Sequence, residues 1–188
     1  MSVQLILYPQ GHNGVYDTFS NPDTDFIVNG SNFVGLGSAP AISNFSIPAA
    51  AFLQPATIPN SWYRYSYPIT PLQYPTEING NCVIPDSTVN GFIGIYQRVT
   101  GLTAGIVYEL IIDIIPPAIS NYSGTIQIFR FPHINPPQGN FVNNFQIDET
   151  TTQLRVPIGN NSQGQLYDET IFILFKKNNV SSGGCTFG

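Results

Sequence analysis

The chain has 188 residues, a net charge of −5 and only 9% charged side chains, against roughly 25% in an average soluble domain. Six Lys and Arg residues are too few for the basic patch that nucleic-acid binding requires. Ala, Glu, Lys and Leu are too scarce for a coiled coil or helical bundle, and 13% aromatic residues argue against a disordered chain. These values indicate an all-β protein with a polar but mainly uncharged surface.

Short apolar segments with the period-two alternation of β-strands follow one another between Pro, Gly and Asn residues. In chain order the predicted strands cover residues 3–8, 25–28, 62–67, 82–84, 92–99, 107–115, 124–131, 141–147, 153–158 and 170–176. The spacing is typical of an antiparallel β-sandwich of about 8–10 strands. Residues 92–99 and 107–115 are predicted to pair as a hairpin through the glycine-containing turn between them. In the strand at 107–115, Tyr108, Leu110, Ile112 and Ile114 share one face. The opposite face, at 107, 109, 111, 113 and 115, is only partly apolar because it carries Glu109 and Asp113. Two partly apolar faces are expected of a central strand.

Irregular stretches rich in Pro and Asn separate the strands at residues 30–61, 68–81 and 132–140. The first is longer than the loops that compact domains usually contain. No second apolar core, internal repeat or hydrophilic linker interrupts the pattern. We therefore predict a single domain over residues 1–188, with an extended arm or loop at about 30–61 and a flexible tail at about 178–188.

Processing signals and cysteine usage give expectations about the compartment. The first apolar run, residues 3–8, has no basic flank and is too short for a signal peptide. The longest run, residues 106–115, contains Glu109 and Asp113, so no membrane-spanning segment is expected. Cys82 and Cys185 have no ligand spacing for zinc. We expect two free thiols, as in a reducing cytosol, with a single disulfide as the alternative.

Two sequence patterns resemble known families. Residues 94–114, a strand, the Gly-Leu-x-x-Gly turn at 101–105 and Tyr-x-Leu in the next strand, are similar to jelly-roll domains of the galactose-binding and carbohydrate-binding-module type. Residues 168–176 resemble the closing strand of such domains. The opening at 7–16, with residues 61–65 and the predicted hairpin, resembles accessory virion proteins of tailed bacteriophages.

The resemblance to virion proteins implies a non-enzymatic structural or decoration protein of a phage collar, tail or head fibre. Such a protein is made in the host cytoplasm and is located in the virion. Its expected partners are other virion proteins and further copies of itself, contacted through the three irregular stretches. Candidate interface residues are Trp62, His133, Pro136 and Pro137, because aromatic residues are enriched at protein interfaces. Neither nucleic acid nor a membrane is an expected partner.

A carbohydrate-binding or host-adhesion module is the alternative function. Strand alternation from residue 62 places Tyr63, Tyr65 and Tyr67 on one face, where the rings could stack on host surface glycans. Arg64 on the opposite face could hydrogen-bond sugar hydroxyl groups, and Tyr74 follows nearby. The competing interpretation is that Trp62 and Arg64 face the core or an interface, while the tyrosines cover an outer sheet face.

Acidic pairs near strand ends supply the candidate metal ligands: Asp148, Glu149, Asp168 and Glu169. The jelly-roll resemblance implies a structural calcium ion at such carboxylates, and no other cofactor is expected. Calcium requires six to eight oxygen ligands, and no dense acidic loop supplies them. The competing interpretation gives these carboxylates roles in turns and hydrogen bonds.

Catalytic signatures are missing from the sequence. His12 and His133 are the only imidazoles, and no nucleophile elbow, zinc-protease motif or phosphate-binding loop is present. The adjacent carboxylates at 148–149 and 168–169 could act as acid and base, but neighbours on a strand point to opposite faces. We therefore expect a protein that is not an enzyme.

Overall fold

The computed structural model describes residues 2–7, 27, 30, 33, 35–36, 41–43, 62–67, 73–86, 90–103, 106–133, 141–158, 166–180 and 183–188. Within these residues the chain forms twelve β-strands. In chain order they are β1 (Val3–Leu7), β2 (Ala41–Ser43), β3 (Tyr63–Tyr67), β4 (Thr76–Ile78), β5 (Asn81–Ile84), β6 (Phe92–Thr103), β7 (Tyr108–Ile115), β8 (Ser123–His133), β9 (Phe141–Asp148), β10 (Gln153–Ile158), β11 (Leu166–Lys177) and β12 (Cys185–Phe187).

The strands form two six-stranded sheets that pack as a sandwich. The first sheet has the order β1-β7-β12-β5-β4, with β10 also paired to β7. The second has the order β2-β3-β6-β11-β8-β9. Every pairing is antiparallel except that of β2 with β3, which is parallel. The arrangement is a jelly-roll-like β-sandwich and confirms the predicted fold class.

The core lies between the two sheets. The first sheet contributes the predicted apolar face of β7, which is Tyr108, Leu110, Ile112 and Ile114. The second contributes alternate residues of its central strands, among them Ile93, Ile95, Ile126, Ile128, Ile171 and Ile173. All of these side chains are at most 2% exposed. β7 pairs with β1 on one side and β10 on the other, so it is a central strand as its sequence predicted.

Three strands of three residues each, β2, β4 and β12, were not predicted from the sequence. β2 lies inside the stretch predicted as an irregular arm, and β4 lies inside the predicted irregular segment 68–81. A three-residue strand is too short to show a period of two, so only pairing with a neighbour defines it. Of the predicted strand at 25–28, only Ile27 lies within the described residues, where it is a buried bend.

The predicted hairpin between β6 and β7 is wrong. β6 continues to Thr103 in the second sheet, whereas β7 belongs to the first. Gly101 has a φ of 78°, and the pairing with β11 shifts register between Tyr167 and Glu169. The glycine therefore forms a bulge that lets the strand continue instead of turning back. The chain then crosses between the sheets, where the Thr103 amide donates a 2.8 Å hydrogen bond to the Tyr108 hydroxyl.

The C-terminal residues form part of the first sheet, where the sequence predicted a flexible tail. β12 pairs with β5 from Cys185↔Ile84 to Phe187↔Cys82 and also contacts the end of β7. Cys185 and Phe187 are at most 2% exposed and belong to the core. The strand persists because its apolar side chains fill the end of the sandwich, a contact that local sequence does not reveal.

Both cysteines are free thiols inside the core. Burial raises the pKa of Cys82 well above its ordinary value, and the neighbouring Cys185 raises it further. Burial also raises the pKa of Cys185 to about 12, although hydrogen bonding with Tyr122 and with the Thr186 backbone opposes the shift.

Native protein should therefore resist thiol labelling. Because the thiolate is the reactive form, we expect Ellman's reagent at pH 8 to label neither cysteine in the folded protein and both after denaturation. The absorbance of the released thionitrobenzoate follows the reaction. Rapid labelling of one thiol in the native protein would contradict the burial of β12 against β5.

No helix among the described residues has the length and apolar character needed to cross a membrane.

Candidate functional site

The tyrosine-rich strand β3 divides its side chains between two environments, as alternation predicted. Trp62, immediately before the strand, is 5% exposed and packs in the core with its ring 5.5 Å from that of Phe33. Tyr63 and Tyr65 are each 1% exposed and belong to a second apolar cluster. Trp62 is thus a core residue, so its proposed role at a subunit interface is wrong.

The second apolar cluster, here called the outer aromatic cluster, comprises Tyr63, Tyr65, Tyr96, Phe131, Phe172 and Leu174. Its members come from β3, β6, β8 and β11 and lie on the face of the second sheet opposite the core. Tyr63 stacks on Tyr96 at 5.2 Å, and Tyr96 stacks on Phe172 at 4.6 Å. Tyr65 and Phe131 approach Phe172 edge-on at 5.9 and 5.7 Å. Such ring pairs stabilise beyond their buried area.

Burial removes Tyr63 and Tyr65 from contact with a glycan. A stacking platform must present a ring face to solvent, and these two rings are in contact with Tyr96 and Phe172 instead. Burial also raises the pKa values of Tyr65 and Tyr96, so both phenols remain neutral over the physiological range. The structure therefore corrects the prediction that Tyr63 and Tyr65 bind carbohydrate and assigns them a packing role.

The other three candidate carbohydrate residues remain accessible. Tyr67 is 39% exposed at the end of β3. Arg64 is half-buried and places its guanidinium carbon 5.3 Å from the centre of the half-buried Tyr74 ring, a cation–π contact. Arg64 and Tyr74 thus come together as a pair.

The four candidate calcium ligands do not converge. Asp148 lies opposite Ser123 at one end of β8, whereas Asp168 lies opposite His133 at the other end. A strand of this length separates the two acidic pairs by roughly 30 Å. Within the described residues no group of three or more His, Cys, Asp or Glu side chains could hold a metal ion. A calcium site built from both pairs is therefore wrong.

The acidic pair at 168–169 is split between the two faces of β11. Asp168 faces outward and bonds Arg98, with 2.7 Å between Oδ2 and Nη2. Glu169 faces inward, is fully buried, and forms a two-point ion pair with Arg130, with 2.8 Å between Oε2 and Nη2. Each carboxylate thus holds its own cation, which is the hydrogen-bonding role that the sequence left open.

The acidic pair at 148–149 lies at a turn between β9 and β10. Asp148 Oδ1 accepts hydrogen bonds from the Thr150 amide, the Thr150 hydroxyl and the Thr151 hydroxyl at 2.7–2.9 Å. These bonds lower the pKa of Asp148, the Thr150 hydroxyl contributing most. Glu149 is exposed at the same turn.

Asp148 should make folding stability depend on pH in the acid range. Because its pKa is lower in the folded protein than the ordinary 3.8, the stabilisation is present above that value and is lost as pH falls through the folded value. We expect Asp148→Asn to lose part of the acid sensitivity seen in urea midpoints between pH 5 and pH 2 (roughly the span over which carboxylates titrate). Glu149→Gln is the matched control, and identical pH profiles for wild type and Asp148→Asn would contradict the turn assignment.

Of the remaining interface candidates, only the backbone of His133 lies within the described residues, where it ends β8 opposite Asp168. Pro136 and Pro137 lie outside them. Their predicted contacts remain predictions.

A polar row on the outer face of the first sheet was missed by the sequence reasoning. Asp113 of β7 accepts 2.7 Å hydrogen bonds from the Ser2 amide and from Gln153 Nε2. Arg155 of β10 donates to Gln153 at 2.8 Å and to Glu109 at 2.9 Å. A shallow cavity of about 510 Å³ adjoins Asp113, Pro116 and Gln153. The signal was the pair of carboxylates at 109 and 113, which alternation places on the polar face of β7.

Comparison with known proteins gives two structural likenesses. No protein-family model and no curated protein matches the chain. A solved chain reported as "CBM4 structure and function" is similar at 15% identity and a TM-score of 0.46, over 70% of this chain and 85% of that one. The enzymatically active domain of bacteriophage CBA120 tailspike protein 4 is similar at 13% identity and a TM-score of 0.47, over 67% of this chain and 18% of that one. Likenesses of this size say nothing about a ligand or a reaction.

Proposed function

We propose that the chain is a non-enzymatic structural or decoration protein of a phage virion that assembles through protein–protein contacts. The observation that supports this most is that its positively charged side chains are engaged within the chain itself. All six Lys and Arg residues contact other side chains of the same chain. The positive charges of the chain therefore serve its own fold more than a negatively charged substrate or ligand.

Four of the six cations form ion pairs, and two lie over aromatic rings. Besides the pairs of Arg98, Arg130 and Arg155, Lys177 bonds Asp86 at 2.7 Å. Arg64 lies over Tyr74, and Lys176 lies 5.5 Å from the centre of the Phe92 ring. With these groups engaged, uncharged amides, hydroxyls and apolar side chains remain for contact with partners. Interfaces of this kind bind without burying unpaired charges.

Exposed apolar side chains supply further contact area. Leu166 is 68% exposed, Val180 85% and Ile78 52%. Together with the weakly charged surface they favour a protein that is covered by neighbours. The sequence resemblance to accessory virion proteins of tailed phages indicates that these neighbours are other proteins of a phage virion.

Purified particles test this function. We expect mass spectrometry of particles from the native source to detect the chain at a copy number that matches a symmetry seen by electron microscopy. Incubation with polysaccharides should yield no hydrolysis products. Recovery of the chain only in the particle-free fraction, or hydrolysis by the purified protein, would contradict the proposal.

Glycan binding is the second candidate, and it rests on the accessible pair Arg64–Tyr74 and on Tyr67. A glycan array with wild-type protein, Tyr67→Ala and Tyr74→Ala discriminates the two functions. Binding that both variants reduce at least tenfold would favour the adhesion module. Val180→Ala is the control, because Val180 is exposed and lies outside the tyrosine strand.

A further inference from the structure

β9 forms one end of the second sheet. All eight of its residues pair with β8 in one unbroken register, from Phe141↔Arg130 to Asp148↔Ser123. Among the described residues no strand pairs with its other side. In an antiparallel ladder every second residue of such a strand directs its N–H and C=O away from its partner. β9 therefore presents a row of backbone groups that another strand can pair with.

The other sheet ends carry features that limit pairing. β2 and β4 have three residues each. β10 contains Arg155 and Pro157, and the Val3 amide of β1 already donates a 2.7 Å hydrogen bond to the Gly30 carbonyl. Between its first residue and Ile147, β9 contains no charged residue, no proline and no glycine, and its register shows no bulge. Proteins usually protect a long edge strand with one of these features.

We propose that a second copy of this chain pairs with β9 in antiparallel orientation about a two-fold axis, which joins the second sheets of two molecules. The inference rests on the proposed assembly function. It specifies a second copy of the chain as the partner and the edge of β9 as the contact surface. An antiparallel strand is complementary to itself under two-fold symmetry, so one edge suffices for a closed dimer. Backbone hydrogen bonds across the axis supply the contact.

The side chains of β9 favour a second copy over a different partner. Asn144 and Gln146 are exposed on the outer side, whereas Phe145 packs against the core and Ile147 belongs to it. For the core face of one sheet to continue into that of the other, odd-numbered residues of β9 must pair with odd-numbered residues of the second copy, and even with even. A two-fold axis at Asn144 or at Phe145, in the middle of the strand, meets this condition. With the axis at Asn144 the two Asn144 side chains meet, and with the axis at Phe145 each Asn144 meets Gln146 of the other copy. Amides both donate and accept hydrogen bonds.

Charge does not oppose this pairing, although each molecule has a net charge of −5. With the axis at Asn144, Asp148 extends past Phe141, the first residue of β9 in the other copy. With the axis at Phe145 it lies opposite Val142. In neither register do two carboxylates face one another, an arrangement that would destabilise a cross-strand pair.

A lysine on the edge tests the proposal. Light scattering after size-exclusion chromatography, over a concentration series, should give wild-type protein twice the 20.6 kDa chain mass. Asn144→Lys should give the single-chain mass at the same concentrations, because it places a like charge on each edge at the axis. Thr76→Lys, at an exposed position of β4, is the matched control and should leave the dimer intact. A wild-type protein that stays at the chain mass throughout the series would overturn the inference.

Cysteine cross-linking provides a second measurement that does not depend on disrupting the edge. With the axis at Asn144, Asn144→Cys alone should form disulfide-linked dimers with oxidised glutathione. With the axis at Phe145, a mixture of Asn144→Cys and Gln146→Cys should form them, because residues 144 and 146 then lie opposite each other. Thr76→Cys should remain monomeric on non-reducing gels. Cys82 and Cys185 are buried, so the introduced thiols report alone. Oligomers that Asn144→Lys leaves intact, without cross-links at 144 or 146, would refute the β9 contact. The assembly function would survive that result, because the particle measurement tests it separately.

Discussion

Replacing Glu169 with Gln should cost about 3–5 kcal/mol of unfolding free energy, because it leaves the Arg130 charge buried without its partner. Glu169 is fully buried, and the Arg130 side chain is 8% exposed. Burial lowers the pKa of Arg130, but the hydrogen bond and charge of Glu169 outweigh that effect and raise it. The guanidinium therefore keeps its charge over the physiological pH range.

The neighbouring ion pair is the matched control. Arg98 and Asp168 have side chains 23% and 32% exposed, so water can replace the lost partner. Asp168→Asn should therefore cost only about 0–1 kcal/mol. Urea unfolding followed by the fluorescence of Trp62, the single tryptophan and a core residue, measures both variants.

A double variant separates the buried charge from the packing of the pair. Arg130→Met with Glu169→Leu removes both charges while keeping similar volumes, and it should recover most of the stability lost in Glu169→Gln. Equal costs for Glu169→Gln and Asp168→Asn would contradict the assigned burial of the pair.

Replacing Phe187 with Ala should cost about 3–5 kcal/mol, the usual range for a large aromatic side chain removed from a core. Phe187 is fully buried and lies opposite Cys82 in the pairing of β12 with β5. The truncation leaves a cavity at the end of the sandwich and weakens the hold of β12 on the ends of β5 and β7.

Val180 provides the control for this position. It lies a few residues earlier and is 85% exposed, so Val180→Ala should change the unfolding free energy by less than about 0.5 kcal/mol. Urea midpoints of the two variants, compared under identical conditions, measure the difference. If Phe187→Ala were as mild as Val180→Ala, the C-terminal residues would behave as the flexible tail that the sequence predicted.

Long strands were predictable because their side chains record the alternation of environments. The apolar face of β7 was identified residue by residue, and β10 was predicted with its observed bounds, residues 153–158. The placement of residues 168 and 169 on opposite faces also followed from alternation, since neighbouring residues of a strand point to opposite faces. What alternation left open was which of the two faces is the core.

The candidate sites were less predictable because burial depends on contacts between distant segments. Tyr63 and Tyr65 carry the pattern of a sugar-stacking strand, but Tyr96 and Phe172, from β6 and β11, cover their rings. The two acidic pairs look equivalent in sequence and lie at opposite ends of β8. Neither outcome has a local signal, since the partners lie tens of residues away.

The low charge and the alternating apolar residues by themselves determined an all-β sandwich, because period-two patterning with few helix-forming residues has few other stable solutions. Only the tertiary structure decided how the strands are distributed between the sheets. The Gly101 bulge keeps β6 in one sheet while β7 enters the other, and β2, β4 and β12 exist only through their neighbours. Local sequence records which face of a strand is apolar, whereas pairing depends on non-local hydrogen bonds and packing that no short segment contains.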